Sequence, residues 1–103
     1  MQIQIITDRN IPGREALAVR VEANLLEATR RFNSSIERAE VHLAAEGIEM
    51  LCAIEARLSG RAPTKVSHRA ATLDLAVSGA AAELMKALES ALGRKPVEPA
   101  RIA

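Results

Sequence analysis

Residues 36–58, IERAEVHLAAEGIEMLCAIEARL, decide the fold. From Ile36 to Glu46 the chain alternates, with Ala39, Val41, Leu43 and Ala45 on one side and Glu40, His42, Ala44 and Glu46 on the other. Gly47 stands where a turn is needed. Glu49 to Ser59 then resumes the alternation, with Cys52, Ile54, Ala56 and Leu58 opposite Ala53, Glu55 and Arg57. Two segments of period two around a glycine predict a β-hairpin with one apolar face.

Towards the N-terminus, Leu17, Val21, Leu25, Ala28 and Phe32 recur at steps of three and four, predicting an amphipathic helix over Arg14–Phe32. Before it, Met1, Ile3 and Ile5 alternate with Gln2 and Gln4, the pattern of a strand that stops at the turn Asn10-Ile11-Pro12-Gly13. Towards the C-terminus, the turn Ser59–Pro63 precedes a short strand, Thr64–Ala70, with Val66 and His68 on its apolar side and Lys65 and Arg69 on its polar side. Thr72 then fits the N-cap of a second helix whose apolar stripe runs through Leu73, Val77, Ala80, Ala81, Leu84, Leu88 and Leu92, with Gly93 after it. Gly79 inside that helix implies a close backbone approach, expected against the first helix. The order is therefore β-α-β-β-β-α, an α+β fold with two helices packed on one face of a four-stranded sheet. One domain is expected over residues 1–95, with a loose proline-containing tail over 96–103.

Composition narrows the function. With 49% hydrophobic and 26% charged residues in 103, the chain suits a single globular core. Phe32 is its only aromatic residue, so nucleic-acid bases have no stacking platform and any such partner must be held through Arg and Lys. A lone Cys52 and two histidines make neither a disulfide nor a structural zinc site. No metal or cofactor is expected, and the absence of an apolar run of membrane length or a signal-peptide pattern points to a soluble cytoplasmic protein.

Catalysis finds no support in the residues. His42 and His68 lack a nucleophile or a carboxylate pair in a recognisable spacing, and Cys52 falls on the apolar side of its strand, as core filler. The remaining signal is basic. Net charge is only +1, yet Glu37 to Glu55 is acidic and Arg57 to Arg69 is basic. Phosphate contacts would give Arg30, Arg31, Arg57, Arg61, Lys65, Arg69, Arg94 and Lys95 a common role, since phosphate neutralisation needs only charge and reach, and all of these but Arg61 are singled out as contacts. Solvated surface arginines are the plainer explanation of the same residues.

Over Met1 to about Lys95 the chain resembles the ribosome hibernation-promoting and ribosome-associated inhibitor family, also called sigma-54 modulation proteins. The likeness rests on the opening MQIQI, on Gly13-Arg14-Glu15-Ala16-Leu17, on Arg31-Phe32 before Ile36–Leu43, and above all on HRAATLDLAVSGAAAEL from His68 to Leu84. The resemblance implies a non-enzymatic β-α-β-β-β-α domain that binds the small ribosomal subunit and its rRNA, in the channel used by messenger and transfer RNA, and down-regulates translation under stress. It implies no role for DNA or a membrane. The end of the second helix, with Glu83, Lys86 and Glu89 before Arg94-Lys95, is less basic than in strongly active members. The chain is expected to be a short form, a monomer or weak homodimer joined through a sheet edge. The alternative is a protein-interaction module that keeps the fold without binding ribosomes.

Overall fold

The hairpin forms as the alternation requires. β2 (Ile36–Glu46) and β3 (Glu49–Leu58) pair antiparallel through the turn at Gly47, whose φ of 62° lies in the left-handed region open to glycine. The structure, a computed structural model, describes residues 1–8, 11 and 13–93. β1 (Gln2–Thr7) runs parallel to β2, a pairing that needs a crossover, and α1 (Arg14–Ala28) supplies it. β4 (Thr64–Ala70) adds antiparallel to β3, giving a four-stranded mixed sheet of order β1-β2-β3-β4. α2 (Leu73–Leu88) returns across β3 and β4 beside α1, so both helices cover one face and the other face is open.

The core lies between sheet and helices. Val41, Leu43, Cys52, Ile54 and Ala56 from the strands meet Leu17, Val21 and Leu25 of α1 and Ala76, Val77, Ala80, Leu84 and Leu88 of α2. Burying a side chain such as Leu84 contributes about 1.5–3 kcal/mol, so these stripes hold the layers together.

Three local features depart from the expected pattern. α1 stops at Ala28 rather than Phe32. The backbone N–H of buried Thr29, at 3.0 Å, and its hydroxyl, at 2.8 Å, both donate to the Leu25 carbonyl, and a 3-10 segment over Arg30–Ser35 follows, with Phe32 still buried. In β2 the register slips between Ile36 and Arg38, leaving Glu37 as the extra residue of a bulge, so Ile36 and Ala39 both reach the core. Regular hydrogen bonding in α2 ends at Leu88, and one π-turn carries the chain from Glu89 to Gly93.

The close approach at Gly79 is to β4 and not to α1. A Cβ at this position would stand 2.0 Å from Cδ2 of His68. Only Ala71 and Thr72 separate β4 from α2, so the helix must fold back over its own strand, and the ring of His68 fills the space a side chain would take.

Candidate nucleic-acid interface

Pleating sends alternate side chains of each strand to the open face. These are Gln2, Gln4 and Ile6 from β1, Arg38, Glu40, His42, Ala44 and Glu46 from β2, Glu49, Leu51, Ala53, Glu55 and Arg57 from β3, and Lys65, Ser67 and Arg69 from β4. Register then sets them in rows. Gln2, Arg38 and Arg57 stand side by side; next come Gln4, Glu40, Glu55 and Lys65; then Ile6, His42, Ala53 and Ser67; then Ala44, Leu51 and Arg69; and last Glu46 and Glu49. The face is positive at the end where β2 begins and negative at the hairpin tip.

Among the described residues, Arg20, Arg30, Arg31, Arg38 and Arg69 are matched by carboxylates. Arg69 donates from Nε and Nη2 to Glu46 Oε1 at 3.0 and 2.8 Å. Arg38 donates to Gln4 and, at 3.2 Å, to Glu40, whose other oxygen lies 3.5 Å from His42 Nε2. Away from the open face, Arg30 pairs with Glu27 at 3.4 Å, and Arg31 pairs with Glu89 at 3.0 Å with its guanidinium 5.0 Å from the Phe32 ring centre. Arg20 bridges the two helices to Asp74 at 2.8 Å.

Arg57, Arg61, Lys65 and Lys86 have no ion-pair partner among the described residues, Arg61 instead donating to the Ala91 carbonyl at 3.0 Å. All four lie towards one end of the molecule. β2 begins there, β3 finishes there and β4 starts there, and α2 brings its last turn to the same place. Arg30 and Arg31 join the same end through the 3-10 segment.

The seven basic residues singled out in the sequence are thus distributed as follows. Arg57, Lys65 and Arg69 share the open face, Arg69 towards the acidic tip. Arg30 and Arg31 sit on the helix side of the basic end. Arg94 and Lys95 lie outside the described residues. The structure adds Arg38, directly opposite Arg57, and Lys86, and it returns Arg61 to the set; Arg61 and Lys86 lack carboxylate partners among the described residues. Arg38 was legible from its alternation with Glu40, but its place among acidic residues hid it. Lys86 became a neighbour of this end only when α2 folded back.

No helix among the described residues is long and apolar enough to cross a membrane, and no group of three or more His, Cys, Asp or Glu among them is placed to hold a metal ion.

No protein-family model matches the chain, and no curated protein matches it. Solved structures do. The N-terminal domain of Thermus thermophilus Protein Y is 25% identical with a TM-score of 0.73, over 87% of this chain and 98% of that one. A ribosomal subunit interface protein from Coxiella burnetii is 14% identical with a TM-score of 0.78, over 91% of this chain and 100% of that one. The fold is that of the hibernation-promoting factor family. Both neighbours are members of that family and are covered over 98% and 100% of their length, so the likeness spans nearly the whole of each rather than a shared βαβ unit. The order β-α-β-β-β-α and the two-helices-on-one-face packing agree with the expectation from sequence.

Proposed function

We propose that this chain is a ribosome-associated stress factor that binds the small ribosomal subunit through rRNA phosphates and down-regulates translation. The observation that carries the reading is the domain-wide likeness to Protein Y and to a ribosomal subunit interface protein. The basic end supports it, because Arg57, Arg61, Lys65 and Lys86 keep charges that no carboxylate among the described residues neutralises. Arg30, Arg31 and Arg69 are proposed contacts too. Their exposed ion pairs are worth only about 0–1 kcal/mol, so a phosphate can take the place of the carboxylate. Arg94 and Lys95, which follow the last described turn, complete the proposed set. The role is one of binding: no residue is asked to transfer a group.

Co-sedimentation with purified small subunits across a salt series tests the reading. Binding should weaken linearly in log–log form, and Arg57→Glu with Lys65→Glu should reduce the salt slope by about 1 for each phosphate no longer neutralised. Arg20→Glu, at the bridge between the two helices, should leave binding unchanged. Absent or salt-insensitive co-sedimentation would overturn it.

A second reading draws on the carboxylates. Glu40, Glu46, Glu49 and Glu55 share the open face with the cations, a balance that suits a protein partner better than a polyanion. A protein-interaction module predicts no loss of ribosome binding on reversal of Lys65 and Arg69, whereas the ribosome reading predicts a large one.

A further inference from the structure

The charge pattern on the open face is unfavourable for an isolated sheet. Arg38 faces Arg57 and Glu40 faces Glu55 directly across the β2–β3 pair, and like charges directly opposite destabilise a sheet; the Arg38–Glu40 pair at 3.2 Å engages one member of each but leaves Arg57 and Glu55 without an ion-pair partner among the described residues. Alternating the signs across the pair would have removed the repulsion. As built, both central strands run from cation to carboxylate in the same direction, from Arg38 and Arg57 at the basic end to Glu46 and Glu49 at the tip.

We propose that this face pairs two copies of the chain, packed face to face about a two-fold axis that crosses the strands at the level of His42 and Ala53. The two-fold reverses the second copy along the strands and keeps each strand over its counterpart. Arg38 then stands over the second copy's Glu46, and Arg57 over the second copy's Glu49. Neither Arg57 nor Glu49 has an ion-pair partner within its own chain among the described residues. Ile6, 38% exposed, lies with His42, Ala53 and Ser67 in the row on the axis, which carries no carboxylate or guanidinium; in the adjacent row Ala44 and Leu51 come under Glu40 and Glu55 of the second copy. Lys65 falls over the second copy's Arg69 on the outermost strand. There both side chains reach water, and Glu55 of the facing copy is one strand away from Arg69.

Area sets the strength. The face spans about 27 Å along the strands and about 19 Å across them, or about 500 Å² per copy. That is below the 800 Å² or so per partner of a standard interface, which makes the pair transient and concentration-dependent, with charge supplying its register. The pair hides Arg38, Arg57 and Lys65 while leaving Arg61 and Lys86 outside, so self-association competes with any other use of the open face.

Sedimentation equilibrium of the purified chain at low salt, without ribosomes, tests the proposal. Mass should rise from monomer towards dimer with concentration and fall back as salt is added. Arg57→Glu and Glu49→Arg should each weaken association about tenfold, since the two-fold places the pair twice. The double variant R57E/E49R should restore it, because the exchanged charges face each other again. A monomer at every concentration, single variants without effect, or a double variant as weak as the singles would each overturn the proposal; circular dichroism checks that the variants are folded. The ribosome reading fails or stands separately, because R57E/E49R regains self-association without regaining a phosphate contact at position 57.

Discussion

At Gly79 one missing methyl group lets α2 lie against β4. Alanine there adds helix propensity worth about 1 kcal/mol, but its Cβ would meet Cδ2, Nε2 and Cγ of His68 at 2.0, 2.3 and 2.5 Å. The clash reaches Cγ, so turning the ring about its own axis does not relieve it, and overpacking of this kind costs about 1–3 kcal/mol. Gly79→Ala should therefore lower the melting temperature by several degrees, and His68→Ala in the same chain should remove most of that deficit. A Gly79→Ala protein as stable as its parent would refute the contact. Cys52 offers a second residue-scale test. Burial pushes its thiol up from 9.0 to about 12. Between those values the unfolded chain releases a proton that the native chain keeps, so stability falls as pH rises, by up to about 1.4 kcal/mol per pH unit. Urea midpoints above about pH 9 should fall more steeply for the parent than for Cys52→Ala, and parallel curves would refute the shift. The placement of Cys52 in the core was legible from alternation. The partner of Gly79 was not, because spacing along a helix says that a face is narrow without saying what lies on it.

Elements were legible where their signals are local. Thr72 caps α2 by accepting from the Leu75 backbone N–H at 3.2 Å, a contact three residues long that sequence displays in full. Thr72→Ala should cost about 1 kcal/mol in chemical denaturation, and Thr72→Asp should retain most of the stability. Equal destabilisation by both would show that the cap is not what the hydroxyl provides. The end of α1 escapes the sequence for the opposite reason. Phe32 stays buried through the 3-10 segment, so the apolar stripe continues past Thr29, where the backbone bonds change from a four-residue to a three-residue step. Hydrophobic spacing shows which side chains are inside and is blind to a change of ladder beneath them. The bulge at Glu37 has the same character, visible afterwards as the three-residue step from Ile36 to Ala39 within a strand.

At the scale of the whole molecule, the charges that look scattered along the chain resolve into a basic end and an acidic hairpin tip. Near-neutral net charge conceals this, since steering of a polyanion or of a second copy depends on where charge sits rather than on its sum. Two proposed uses meet on the open face: rRNA phosphates would engage Arg57 and Lys65, and a second copy would cover them. By itself the sequence determined the order of elements, the face each strand buries, the inert thiol and the cap of α2, because periodicity and capping act over a few residues. Only the tertiary structure decided that Arg30, Arg31, Arg57, Arg61, Lys65 and Lys86 share one end, that Arg38 opposes Arg57 and Glu40 opposes Glu55, and that His68 fills the hollow at Gly79. Those relations depend on strand register and on the return path of each helix, which bring together residues tens of positions apart and leave no trace in local spacing.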